Sequence, residues 1–367
     1  MGKVKKTVFY DTHVALGAKM APFGGYVMPI LYGGIVKEHF AARTKAALFD
    51  TCHMGEFRIE GKTACADLDA ILSCEVSSLN IGQCRYGFIC NPSGGVLDDQ
   101  IIYRCADTVF FMVVNASTQD SDFAWISGHC CPSTTLTNLS EETAKIDLQG
   151  PASVAIARKL LEKPIDGLTY YSFMYNRYKG AEVLVSRTGY TGEIGFELYC
   201  DAHCAMSLWN ESMELGAVPA GLGARDTLRL EMGFPLYGHE LDAQRNAAES
   251  GFSRAISRDK KFIGSEAVLD PLAVRQTLCG IRLADTRAAR RGDALFDGGD
   301  NAIGAVTSGS FAPSLGRAVA LGYIKKDSRA AGEPIVVRND RHELRGVIAE
   351  LPFYTCGTAR KKLADFL

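Results

Sequence analysis

Four stretches of the chain bring acids, arginine, tyrosine and glycine together at places where no helix needs a cap. The first, Asp50-Thr51-Cys52-His53-Met54-Gly55, joins an expected helix to an expected strand. In the second, Asn91-Pro92-Ser93-Gly94-Gly95 makes a glycine-rich turn that delivers Asp98 and Asp99 to an apolar strand. Strand side chains alternate, so these two acids face opposite ways and at most one enters a given pocket. The face of Asp99 also carries Ile101 and Tyr103, a mixed apolar and aromatic wall. A solvated turn acid is the competing reading of those residue types. The third stretch, Arg187 to Glu197, sets three glycines around Tyr190 and lets backbone approach a flat ligand. Glu197 follows within Phe196-Glu197-Leu198-Tyr199, where an acid must be paired or must bind something. In the fourth, Gly221 to Glu231, ion pairs of Arg225 with Asp226 and Arg229 with Glu231 on a helix surface are the simplest reading.

Other chemistries lack their signatures. No phosphate-cradling G-x-x-x-x-G-K-[ST] string occurs, and neither G-x-S-x-G nor H-E-x-x-H is present. Gly221-Leu222-Gly223 opens like a dinucleotide fingerprint, but Asp226 replaces the third glycine and would repel a pyrophosphate. His129-Cys130-Cys131 and Cys200-Asp201-Ala202-His203-Cys204 hold metal-ligand residue types without a tetrahedral spacing. No metal is expected.

The elements that must position these residues mix strands and helices without regular βαβ alternation. Residues 35–48 read as a helix with Val36, Phe40 and Ala47 on one side. Residues 62–75 repeat the pattern with Ala64, Leu68, Ile71 and Leu72. Pro151 reads as a first-turn proline ahead of Val154, Ile156 and Leu160. Met206, Trp209 and Met213 form a further stripe that Gly216 ends. Strands are expected at 55–60, 99–104, 108–114, 182–186 and 196–200, the second and third as a hairpin. After a boundary at 265–277, glycine-punctuated strands at 278–283, 302–308, 319–323, 334–338 and 343–350 predict a small β-sandwich or barrel.

Composition bounds the answer. With 367 residues, the chain is too long for one core and predicts two or three packed units. Forty Lys+Arg against 42 Asp+Glu leave a net charge of -2, which argues against nucleic acid as a partner. Twelve cysteines without a paired C-x-x-C predict reduced thiols and a cytoplasmic setting. No apolar run approaches the roughly eighteen residues of a membrane span. Asp11, Thr12 and His13 break what a signal peptide would need, and Lys6 stands where myristoylation wants Ser or Thr.

Together the four stretches resemble the aminomethyltransferase, or T-protein, family of the glycine cleavage system. The resemblance runs through Tyr10-Asp11-Thr12-His13, Phe23-Gly24-Gly25-Tyr26, Phe49-Asp50, His53-Met54-Gly55 and Gly94 to Asp99. It continues through Leu148-Gln149-Gly150-Pro151, Gly189 to Glu193, Gly221 to Glu231, Thr307 to Gly316 and Pro352-Phe353-Tyr354. It implies an α+β fold, a three-domain cloverleaf around a folate channel, with a C-terminal small β-barrel or sandwich. The corresponding ranges are 1–268, with a sub-domain at about 50–140, and 278–367. It further implies transfer of a methylene unit from the aminomethyl-dihydrolipoyl arm of the H protein to tetrahydrofolate, with release of ammonia. Carried over by motif, Asp99 is the catalytic acid, facing folate N10. Glu197 grips the pterin, and Arg225, Tyr190, Tyr103, Tyr86, Tyr237, Met54, Asn115 and Arg360 complete the folate-binding set. Cys52 stands where the family usually has serine, and segment 245–253 lacks the expected proline and tryptophan.

Two rival readings keep folate. One is a demethylase that acts on a small N- or S-methyl compound. The other is a non-catalytic folate-binding assembly factor, against which the absence of a Lys-Gly-Cys-x-x-Gly-Gln-Glu motif and the presence of Asp99 both count.

Overall fold

Alternating apolar residues between positions 55 and 138 fold into a five-stranded antiparallel sheet in a computed structural model that describes residues 4–366. Its strands run in the spatial order Cys84–Cys90, Val96–Ala106, Val109–Val114, Gly55–Gly61 and Thr134–Asn138. The expected hairpin is present, with Ile101 opposite Val113 and Tyr103 opposite Phe111. One face packs on the helix Ala64–Ile71, whose Ala64, Leu68 and Ile71 are fully buried as the 62–75 periodicity predicts. Full burial of each such leucine or isoleucine contributes about 1.5–3 kcal/mol.

A second sheet runs Phe173–Tyr178, Ala181–Ser186, Gly195–Cys200, Ala144–Gln149, Ala47–Asp50 and Val218–Pro219. The helices Ser153–Leu160 and Ala202–Glu214 cover one face of it, with Trp209 fully buried between them and the sheet. Pro151 lies two residues ahead of its helix, in the preceding turn rather than the first helical turn. On the other face, Tyr199, Leu184 and Phe173 meet Tyr103, Phe111 and Val113 of the first sheet. The cavity described below opens between these two sheets.

The expected helix at 35–48 is shorter and turned the other way. It ends at Thr44, and Ala47 enters the second sheet. Val36 and Phe40 are exposed, whereas Glu38, His39 and Arg43 are buried. Hydrogen bonds explain the inversion, because each buried polar group finds fixed partners. Glu38 accepts from the backbone N–H of Tyr32, Gly34 and Gly221 at 2.7, 3.0 and 2.9 Å. His39 bridges Thr227 and Ser314 at 2.9 and 2.8 Å.

Beyond the short helix Ser265–Leu269 the chain enters a closed six-stranded barrel. Its order is Gln276–Leu283, Arg317–Lys325, Ala302–Ala312, Ala294–Phe296, Pro334–Asn339 and His342–Ala349. Closure removes the free edges that a sandwich would leave. The three-residue strand Ala294–Phe296, too short for a periodic signal, was not expected from sequence. The barrel is fastened to the rest by Leu230 packed on Leu278, Val319 and Leu321, and by Tyr323 donating to the Glu240 carbonyl at 2.9 Å.

Candidate active site

Asp99 is placed by the turn before it. Asn91 Oδ1 accepts from the backbone N–H of Ser93 and Gly95 at 3.0 Å each. A Cβ on Gly95 would lie 1.9 Å from the Ala243 carbonyl oxygen, so the close approach of segment 242–246 admits only glycine there. Strand alternation then sends Asp98 into the interior and Asp99 to the cavity wall. Tyr86 donates to Asp99 Oδ2 at 2.9 Å, and Asn115 Nδ2 donates to Oδ1 at 2.8 Å. Asn115 also holds Asp98, through its backbone N–H at 2.9 Å and its side-chain amide at 2.8 Å. Burial, reinforced by the charge of Asp98, raises the Asp99 carboxyl to a pKa of about 7, against the pull of its two donors.

The cavity has a volume of about 1130 Å³ and is walled by both sheets, the helix Leu222–Glu231 and the segment 234–239. Tyr86, Ile101, Val113, Tyr190, Phe234 and Tyr237 give it an apolar and aromatic lining. Tyr190 stacks on Phe234 with centroids 5.7 Å apart and donates its hydroxyl to the Pro235 carbonyl. Tyr103 is fully buried and does not reach the wall. Two residues beyond Ile101 the sheets close against each other, and its hydroxyl instead lies 3.4 Å from Glu197 Oε2.

Glu197 stands opposite Asp147 across the strand pair Ala144–Gln149 and Gly195–Cys200. Its carboxylate is already engaged: Oε1 accepts from Lys145 Nζ at 2.8 Å, while Thr188 and Tyr199 hydroxyls serve Oε2. Lys145 also reaches Asp147 at 3.1 Å, and Asp147 pairs with Arg225 at 2.6 Å. The result is a chain of alternating charges, Glu197, Lys145, Asp147, Arg225, of which Glu197, Lys145 and Arg225 line the cavity. The surface ion pairs expected of the 221–231 segment are replaced by buried ones. Arg225 goes to Asp147, not Asp226, and stacks over Tyr190 at 5.0 Å. Arg229 bonds Asp226 and Glu240, and Glu231 receives Arg43 at 2.8 Å. Asp147, Glu240 and Arg43 lie outside the helix, which spacing within it does not reveal, whereas Arg229 and Asp226 are three residues apart on the helix itself.

The remaining expected residues are distributed around the same cavity. Met54 and Asn115 line it, and Arg360 lines its exposed margin over the Tyr170 ring. Lys145, Asp147 and His53 were missed as site residues. A polar stripe at every second position, Lys145, Asp147 and Gln149 between Ile146 and Leu148, was the available signal. His53 is buried with Nδ1 lacking a partner, and burial drops its imidazole to a pKa of about 4, so it is neutral. Cys52 donates to the Lys145 carbonyl at 3.3 Å and accepts its N–H at 3.2 Å. Among the described residues no cluster of His, Cys, Asp and Glu is arranged to hold a metal, and no helix is long and apolar enough to cross a membrane.

Known proteins share this architecture along its whole length. Residues 9–260 match the model of the GCVT N-terminal domain, and residues 276–355 match that of the glycine cleavage T-protein C-terminal barrel domain. An aminomethyltransferase of Halothermothrix orenii is 40% identical over 357 residues, which is 95% of this chain and 100% of the relative. One from Thermotoga petrophila is 37% identical over 366 residues, 98% of this chain and 100% of the relative. The crystal structure of glycine cleavage system aminomethyltransferase T from Bartonella henselae superposes with a TM-score of 0.90 at 30% identity, covering 96% of this chain and 98% of that one. The two family models together span most of the chain, and relatives of 37–40% identity are covered end to end: the chain belongs to the glycine cleavage T-protein family of aminomethyltransferases.

Proposed function

We propose that the cavity binds tetrahydrofolate and that Asp99 is the catalytic acid–base group for transfer of a methylene unit to it from the aminomethyl-lipoyl arm of an H protein. The observation that carries this reading is the pairing, in one aromatic-walled cavity, of an ion-paired carboxylate at Glu197 with a separately held carboxyl at Asp99. The fit to a reduced folate is chemical. A volume of about 1130 Å³ suits a ligand of that size, and tyrosine and phenylalanine faces suit its flat ring. Glu197 Oε1 receives one protein donor and keeps a second lone pair for a pterin N–H. Arg360 and Tyr170 offer a cationic and aromatic margin for the remainder of the molecule.

The residues then act as follows. Tyr86 and Asn115 fix both oxygens of Asp99, so the carboxyl needs no reorganisation during reaction. When ammonia leaves the aminomethyl carbon, positive charge develops there, and ionised Asp99 stabilises it. Its pKa of about 7 also lets it hold or release a proton near neutrality. The cavity supplies proximity between acceptor nitrogen and tethered donor carbon. Ammonia release from aminomethyl-lipoyl H protein, measured with and without tetrahydrofolate, tests the proposal. A rate that depends on tetrahydrofolate is expected, and an equal rate without it refutes the acceptor role.

A further inference from the structure

Lys145 is a buried cation whose donors are unequally served. Its ammonium has three N–H groups. Two meet Glu197 at 2.8 Å and Asp147 at 3.1 Å, but the third finds only the Met54 sulfur at 3.6 Å, a weak acceptor. Lys145, Met54 and Glu197 all line the cavity, so this poorly satisfied donor lies at the wall where a ligand would sit. The start of its side chain is fixed by Cys52, whose thiol bonds both the N–H and the carbonyl of Lys145. Burial opposes the charge, but Asp147 and Glu197 outweigh it and keep the lysine protonated.

A reduced pterin presents a 2-amino group, a ring N3–H and then a 4-oxo group along one edge. A carboxylate answers the two donors and repels the lone pairs of the oxygen beside them. An ammonium next to the carboxylate answers that oxygen. Resting on the folate reading above, we infer that Lys145 is a specificity-determining residue: it donates to the 4-oxo oxygen of the pterin while Glu197 accepts from the neighbouring N–H. The Glu197–Lys145 pair thus reads an ordered donor and acceptor edge, which a carboxylate alone does not.

Calorimetric titration of the full chain with tetrahydrofolate and with its 4-amino-4-deoxy counterpart tests the assignment. The unaltered protein should prefer the 4-oxo compound by about tenfold or more, the scale of a hydrogen bond to a charged group. Lys145→Met should weaken tetrahydrofolate by a similar factor and leave the 4-amino compound within a few-fold, shrinking the preference to the part that Glu197 sets, because N3 carries a hydrogen in the 4-oxo compound and a lone pair in the 4-amino one. Lys145→Gln retains an N–H donor and should keep part of it, and this variant carries the comparison if the methionine variant does not fold. Asp147 keeps Arg225 and Glu197 keeps the Thr188 and Tyr199 hydroxyls in either variant. An unchanged preference, or equal weakening of both compounds, overturns the inference while leaving folate binding intact. No binding of either compound to the unaltered protein overturns the folate reading and this inference with it.

Discussion

Asp99 combines two features that ordinarily oppose each other: two hydrogen-bond donors and a raised pKa. Burial and the neighbouring Asp98 outweigh Tyr86 and Asn115 and place its titration at about 7. Below that pH the carboxyl is protonated and no longer stabilises positive charge. The proposal therefore predicts that kcat/KM falls about tenfold per pH unit below 7, and a limb near pH 4 would contradict it. The same shift has a stability sign. The native state binds this proton more tightly than the unfolded chain, so Asp99 costs stability as pH rises from the ordinary carboxylate range through 7. Glu197 has a different task, since Lys145 and hydroxyl donors fix the position of its two oxygens. Glu197→Gln should weaken tetrahydrofolate binding by about tenfold or more, read by titration, and unchanged affinity would remove it from the pterin site.

At the scale of elements, Arg43 ties four segments together. From the helix Ile35–Thr44 it donates to the Thr191 carbonyl at 2.6 Å, Glu193 at 3.0 Å and Glu231 at 2.8 Å, and it stacks over Tyr354 at 4.0 Å. Removing it takes the arginine from two buried carboxylates, leaving Glu193 only Thr358 and Glu231 only His39 and the Ser314 N–H. Arg43→Ala should destabilise the protein by about 3–5 kcal/mol in denaturant unfolding, and a loss below about 1 kcal/mol would mean the network is dispensable. Such networks mark the limit of what the sequence makes legible. Periodicity located the 62–75 helix, the Met206-Trp209-Met213 stripe of a second helix and ten of the twenty strands among the described residues, because burial of aliphatic side chains follows chain period. It misoriented the 35–48 helix, whose inward face sets Glu38, His39 and Arg43 beside Ala41 and Ala42, with polar partners at residues 191, 193, 227, 231 and 314. The Asp98 and Asp99 alternation was readable locally. The Asp147–Arg225 and Lys145–Glu197 pairs were not, since they form only when separate elements meet.

The described residues form two large sheets enclosing a cavity, a small sheet of the strands Lys5–Lys6, Tyr26–Leu31 and Lys19–Phe23, and a closed barrel fastened alongside through the helix Leu222–Glu231. The near-balanced charge of the chain is matched inside by Glu197, Lys145, Asp147 and Arg225, two acids and two bases. The twelve cysteines take no part in disulfides. Cys131 and Cys356 are exposed, whereas most of the others are buried, and burial raises the thiols of Cys74, Cys90 and Cys279. Native alkylation followed by peptide mapping should label those two first, and early labelling of Cys74 or Cys90 would contradict the packing around them. The central claim joins chemistry at Asp99 to folate bound in the cavity. It is tested most directly by Asp99→Asn, with ammonia release from aminomethyl-lipoyl H protein and tetrahydrofolate affinity measured on the same preparation. Turnover is predicted to fall about 10²–10⁴-fold with affinity changed only a few-fold. Equal loss of both, or turnover that persists, would contradict the assignment of catalysis to Asp99.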